Sequence, residues 1–263
     1  MARVLAISNQ KGGVGKTTTS INLSAALARA GKKVLVVDLD PQGNASSGLG
    51  YPRSEVAAGI YDVMMEEKDF DSVRVPAGQR LELLPATRDL VGAELELIDV
   101  EGRERQLRKV LGGIRERYDY VVIDCPPSLG LLTLNALTAA DAVIIPVQAE
   151  YYAMEGLSEL LRTIAMVRQK LNPDLARDGI VLTMTDVRNN LSRQVEQNLR
   201  ETLGTEVFNT VVPRNVRLGE APSFGKSIVD YEPKSIGSKA YLALADELIA
   251  RHNVGVRALK VVS

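Results

Sequence analysis

Two lysines, Lys11 and Lys16, bracket a glycine-rich stretch that reads Asn9-Gln10-Lys11-Gly12-Gly13-Val14-Gly15-Lys16-Thr17-Thr18. Glycines let a backbone curl until successive N–H groups point inward, and a following helix N-terminus adds partial positive charge. That combination binds phosphate. Lys16 is then placed to reach the β- and γ-phosphates of a nucleotide, and the Thr17 hydroxyl to bind Mg²⁺. Two acidic tips complete the chemistry. Leu35-Val36-Val37-Asp38-Leu39-Asp40-Pro41 and Tyr120-Val121-Val122-Ile123-Asp124-Cys125-Pro126 each run from a β-branched stretch into carboxylates. Asp124 reads as a carboxylate holding Mg²⁺ through water, with Asp38 as support for the metal's water shell. A lone Asp at a strand end can equally cap a turn.

These groups work only if a scaffold brings them together. Apolar runs without polar alternation predict buried strands at Val4–Ser8, Lys33–Asp38, Leu81–Pro85, Tyr120–Asp124, Ala142–Val147, Ile180–Thr185 and Val207–Val212. Helical periodicity lies between them, at Thr17–Ala30, Glu101–Arg117, Leu131–Ala140, Glu155–Leu171, Leu191–Leu203 and Ser235–His252. Gly112-Gly113 predicts a break in the second of these helices. Tyr51–Arg80 is the least patterned stretch and reads as short helical pieces. Alternating βα units predict an α/β fold: one P-loop domain over 1–263, a mostly parallel twisted sheet with helices on both faces, and a poorly ordered tail at 253–263. In such sheets ligands sit at the carboxyl ends of the strands, where the loop and both acidic tips fall.

Composition excludes several classes. The 263 residues carry 32 basic and 33 acidic side chains, so no global field draws the chain to DNA or membrane, and an anionic partner needs a local patch. One cysteine, Cys125, and one histidine, His252, rule out a disulfide framework and a Cys/His metal cage. The absence of a signal-peptide layout or a membrane-span run predicts a cytoplasmic setting.

The loop departs from the ordinary phosphate-loop spacing. Gln10 stands where glycine is expected, and Lys11 opens the loop. In this the chain resembles the deviant Walker A family of ParA and Soj partition ATPases, MinD and the nitrogenase iron protein. The resemblance extends to Asp38–Gly43 with Asn44, Asp124–Leu129 with Gly130-Leu131-Leu132-Thr133, and Pro146-Val147-Gln148 leading to Glu150-Tyr151-Tyr152-Ala153. Val212-Pro213-Arg214-Asn215-Val216-Arg217-Leu218, Glu220-Ala221-Pro222-Ser223 and Tyr231-Glu232-Pro233-Lys234-Ser235 complete it, and the match, covering essentially Ala2 to Arg251, looks most like chromosomal Soj-type ParA proteins. Gly219 stands where serine is more usual.

The resemblance implies an ATP-hydrolysing homodimer. Lys11 would cross to phosphates held by the facing subunit, Asp40 would orient and polarise the attacking water, and Pro213 and Asn215 would border the adenine. ATP-binding residues would be Lys11, Gly12, Gly13, Val14, Gly15, Lys16, Thr17, Thr18, Pro213 and Asn215, with Thr17, Asp124 and Asp38 serving Mg²⁺. The dimer would bind double-stranded DNA without sequence preference through Arg188 and Arg217, and a ParB-type centromere-binding protein would stimulate slow hydrolysis. A nucleoid-associated location follows. Composition alone shows no basic tract there, because eight basic and seven acidic side chains alternate between Asp186 and Tyr241.

Rival readings differ in what they require. A MinD-like membrane-cycling ATPase ends in a basic amphipathic helix, and 252–263 has two basic residues, a glycine and no aromatic anchor. An iron–sulfur carrier needs two cysteines per subunit. A dethiobiotin-synthetase-like ligase would phosphorylate a small acid, and a DNA-coating protein would retain DNA without turnover.

Overall fold

The computed structural model describes residues 1–150, 153–186 and 188–261, with the backbone alone at 94, 153–155 and 254–261. Eight strands form one sheet: β1 (Arg3–Ile7), β2 (Val34–Asp38), β3 (Val75–Gly78), β4 (Leu81–Leu84), β5 (Tyr120–Asp124), β6 (Ala142–Gln148), β7 (Ala176–Thr185) and β8 (Val207–Pro213). Their order is β3-β4-β2-β5-β1-β6-β7-β8, and every pairing is parallel except β3 with β4.

The unbroken apolar runs are explained by burial on both faces. Val4 and Ala6 of β1, Leu35 and Val37 of β2, and Val121 and Ile123 of β5 enter one core cluster. The alternate residues, Leu5 and Ile7, Val34 and Val36, Tyr120 and Val122, enter the other. Each strand therefore has no polar side to show. Helices Lys16–Arg29 and Ile236–Val261 cover the second cluster; Ile60–Met64, Gln106–Gly112, Leu131–Ala139 and Ala153–Lys170 cover the first.

All seven expected strands are present. The expected helix at 101–117 is broken at the glycine pair, with helix Gln106–Gly112 ending there and a 3₁₀ turn at Arg115–Arg117 following. Within 51–80 lie the short helices Ile60–Met64 and Phe70–Val73, and also β3, which the sequence reading lacked. The closing helix continues past His252, where the pattern in the sequence stops, to Val261. The expected tail thus begins on helical backbone, and Val262 and Ser263 lie outside the described residues.

Candidate active site

Three adjacent strands, β2, β5 and β1, deliver the chemistry. Register pairs Ile7 with Asp124 and Asp124 with Asp38, so the end of the central strand stands between the glycine loop and the other acidic tip. The loop's shape is set by backbone that only glycine adopts easily: Gly13 and Gly15 have φ of 75° and 86°. Gly15 is the N-cap of helix Lys16–Arg29. Two anchors fix the loop to the sheet. Asn9 donates through Nδ2 to the Pro146 carbonyl at 2.7 Å, and the Thr183 hydroxyl donates to the Val14 carbonyl at 2.8 Å.

The two loop lysines behave differently. Lys16 is buried, 7% exposed, and its Nζ donates to the Lys11 carbonyl at 3.0 Å, across the mouth of the loop. Burial lowers its pKa, and the charges of Asp124 and Asp40 oppose that shift. Lys11 instead leaves the loop and forms an ion pair with Glu150. Of the motif that contains Glu150, Tyr151 and Tyr152 lie outside the described residues.

Asp124 is fully buried, and the Ser20 hydroxyl donates to its Oδ1 at 2.7 Å. Its Oδ2 is a buried acceptor with no protein partner. An orphaned carboxylate oxygen beside the Thr17 hydroxyl fits a water held by Mg²⁺, which keeps several waters and takes few protein ligands. Among the described residues no three His, Cys, Asp or Glu side chains converge into a cage. Asp38 accepts from the Ser46 N–H at 2.7 Å, the Ser46 hydroxyl at 2.6 Å and the Asp40 N–H at 3.3 Å. Asp40 is 6% exposed and accepts from the Gln42 N–H at 2.9 Å. Burial, and then neighbouring negative charge, push Asp38 up to about 6 and Asp124 up to about 8, against the hydrogen bonds from Ser46 and Ser20. Burial holds Cys125 as a neutral thiol.

Pro213 ends β8, and Asn215 caps the next helix by accepting from the Arg217 N–H at 2.8 Å. Both also line a cavity of about 150 Å³ with Gly15, Thr18, Thr183 and Met184, alongside the phosphate loop. Arg188 and Arg217 follow the carboxyl ends of the neighbouring strands β7 and β8. Each is tied to a carboxylate of its own chain, Arg188 to Asp186 at 2.9 Å and Arg217 to Glu220 at 2.6 Å.

Sequence reasoning missed Ser20, Ser46, Asn9, Thr183 and Glu150. Asn9 and Glu150 stood inside quoted motifs without a role, and Ser20 falls one helical turn after Lys16, on the same face; Ser46 and Thr183 left no trace.

A phosphate loop beside a buried strand-end carboxylate, on this sheet order, defines a P-loop ATPase. The comparisons agree. A family model described as an AAA domain matches residues 2–177. The chain is 53% identical over 251 residues to the sporulation initiation inhibitor protein Soj of Bacillus subtilis, covering 95% of this chain and 99% of that protein. It is 54% identical over 252 residues to the chromosome partitioning protein ParA of Myxococcus xanthus, covering 95% and 89%. The crystal structure of a cobyrinic acid a,c-diamide synthase from Mycobacterium smegmatis, with bound ADP and magnesium, matches with a TM-score of 0.86 at 40% identity over 97% of each chain. The chain belongs to the Soj/ParA family of chromosome partitioning ATPases.

Proposed function

We propose that two copies of this chain close around Mg²⁺ and ATP, bind DNA without sequence preference in that state, and separate on hydrolysis stimulated by a ParB-type centromere-binding protein. Chromosome or plasmid segregation is the outcome, and the nucleoid is the place of work. The observation that carries this reading is the opposite placement of the two loop lysines. Lys16 lies inside its own loop, whereas Lys11 points out of it to Glu150, where a facing subunit's phosphates can take it.

The backbone N–H groups of Gly12 to Thr18 receive the phosphates, and Lys16 holds the β- and γ-oxygens. Thr17 and Asp124, with Asp38 behind them, hold Mg²⁺, which when bound neutralises charge on the phosphate oxygens. Asp40 orients and polarises the attacking water. Lys11 of the facing subunit neutralises charge that develops on the transferred phosphoryl group, as an arginine finger does. Pro213 and Asn215 border the adenine in the cavity beside Gly15 and Thr18. Arg188 and Arg217 exchange their carboxylates for DNA phosphates. Basal turnover is slow because the site is complete only with its stimulator.

The diamide synthase name belongs to a structure at 40% identity, below the relatives named for partition. A ligase of that kind would turn over on a small acid without regard to DNA. The deciding experiment measures phosphate release with ATP alone, with DNA, with the centromere-binding protein and with both, beside sedimentation of the chain. Asp40→Ala is expected to pair on ATP without turnover, and Lys16→Ala to lose pairing. A chain that stays monomeric in saturating Mg²⁺ and ATP, with hydrolysis blocked, rules the proposal out.

A further inference from the structure

Ser20, on the phosphate-loop helix Lys16–Arg29, is fully buried and has two acceptors within reach of its one hydroxyl proton. The hydroxyl lies 2.7 Å from Asp124 Oδ1 and 3.1 Å from the Lys16 carbonyl. A serine inside a helix ordinarily bonds the carbonyl four residues back, and such a bond has no consequence beyond the helix. Here the carboxylate oxygen is the nearer acceptor. Once ionised it is also the stronger, because charge-assisted hydrogen bonds are roughly twice as strong as neutral ones.

This bond makes the two oxygens of Asp124 unequal. Oδ1 is held by Ser20, whereas Oδ2 is buried and has no hydrogen-bond partner. Buried acceptors without a donor are rare, and such an oxygen marks a place where a water or ion belongs. The carboxyl torsion of an aspartate is broad and two-fold, so an unanchored Asp124 would present either oxygen over a range of angles. Its neighbours offer no replacement anchor. Lys16 Nζ donates to the Lys11 carbonyl, and Asp38, in register on β2, takes its own hydrogen bonds from Ser46 and the Asp40 N–H. The Thr17 hydroxyl also stands near Asp124, but its oxygen is assigned to Mg²⁺, which leaves Ser20 to hold the carboxylate. Lys16, Thr17 and Ser20 thus share one helix, whose rigid rise fixes the spacing of phosphate lysine, metal hydroxyl and carboxylate anchor.

We propose that Ser20 is a positioning residue for Mg²⁺: it clamps Asp124 Oδ1 so that Oδ2 faces a water of the metal. This rests on the Mg²⁺–ATP reading above. Removing a group that orients a metal-binding side chain typically lowers metal affinity about 10–100-fold.

The test measures the affinity of the full chain for a fluorescent, non-hydrolysable ATP analogue, in EDTA and across a Mg²⁺ titration. Ser20→Ala removes an oxygen without adding volume. It is expected to bind the metal-free analogue within about twofold of wild type and to need about tenfold more Mg²⁺ for the same gain in affinity. Binding of Mn²⁺ to the ADP complex, read by electron paramagnetic resonance, should weaken by the same factor. In an Asp124→Asn background, Ser20→Ala should move the Mg²⁺ midpoint by less than about twofold, because the residue it acts through is already altered. A serine that only supports the helix predicts another pattern, in which Tm and metal-free affinity fall together and the Mg²⁺ midpoint stays. That pattern overturns the proposal, as does an alanine variant indistinguishable from wild type or a tenfold shift that persists in Asp124→Asn. A wild type whose analogue binding ignores Mg²⁺ overturns the metal reading and the proposal with it, whereas the variant arms bear on Ser20 alone.

Discussion

Ser46→Ala removes one oxygen atom that makes two hydrogen bonds in a fully buried position. The hydroxyl donates to the Asp38 carboxylate at 2.6 Å and accepts from the Ala86 N–H at 3.0 Å. A hydrogen bond to a charged group contributes about 1.5–3 kcal/mol, and a buried N–H left unsatisfied costs about 1–3 kcal/mol. Asp38 spends much of its time neutral near pH 6, so the lower end applies to the first bond, and the total comes to about 3 kcal/mol. For a chain of this size that is a fall in Tm of roughly 6–12 °C. The loss of a donor also raises the Asp38 pKa further, so the deficit widens as pH rises. Function should change as well, because the Asp40 N–H rests on the same carboxylate. We expect phosphate release, assayed well below Tm, to drop about tenfold while nucleotide affinity stays within about twofold, since an interaction worth about 1.4 kcal/mol in the transition state is lost. Scanning calorimetry and a coupled phosphate assay read both quantities. An unchanged Tm together with unchanged turnover would refute the idea that Ser46 holds the carboxylates in place.

Asp38 and Asp124 have folded pKa values above their unfolded ones, so the stability they lend is fully present below the ordinary carboxylate range and is lost as pH rises through about 6 and about 8. The nucleotide-free chain should therefore lose Tm between about pH 4 and pH 8, Asp124→Asn should flatten that fall, and a wild-type slope matching the variant's would count against it. Arg188→Glu should abolish DNA retention while leaving ATP-dependent pairing intact, and substitution by Ala should reduce the magnitude of the salt slope by about 0.9 per subunit; an unaltered slope removes Arg188 from the interface. Glu150→Gln frees Lys11 from a pair in which both side chains are more than a third exposed, so the gain is below about 1 kcal/mol and the ATP concentration for half-maximal pairing should fall no more than about fivefold. Light scattering across an ATP titration measures this, and a rise would mean that Glu150 supports pairing.

The central strands were legible because burial on both faces leaves only β-branched and aliphatic residues acceptable there, as in Val34–Asp38 and Tyr120–Asp124. β3 was hidden for the opposite reason. Its four residues include Pro76 and Gly78, alternate in exposure and lie at a sheet edge, where proline is tolerated and no core pattern forms. Helix Leu90–Glu96 escaped notice because a segment apolar on both faces has no amphipathic period to detect. Lys16 and Asp124 announced themselves through loop and strand context. Ser46 did not, because serine is common and its partners, Asp38 and the Ala86 N–H, are defined only once β2 and β4 pair. The ion pairs that hold Arg188 and Arg217 are local, to Asp186 two residues back and to Glu220 at i, i+3, but the short helix Val216–Glu220 that sets the second spacing was not read from the sequence.

Those ion pairs bear on how the molecule switches. Lys11, Arg188 and Arg217, the cations to which we assign work outside their own subunit's phosphate site, each rest on a carboxylate of their own chain, and in all three the basic side chain is at least 38% exposed. Exposed pairs contribute about 0–1 kcal/mol, so a phosphate that offers a charge-assisted hydrogen bond can displace the carboxylate at little cost. Asp38 and Asp124 are fully buried and anchored by Ser46 and Ser20, so moving them is expensive. On the proposed assignment the carboxylates of the reacting centre are firmly held and the contacts to other molecules are exchangeable, which is the distribution of strength an ATP-timed assembly requires. A dimer held by deeply buried pairs would bind DNA and fail to let go.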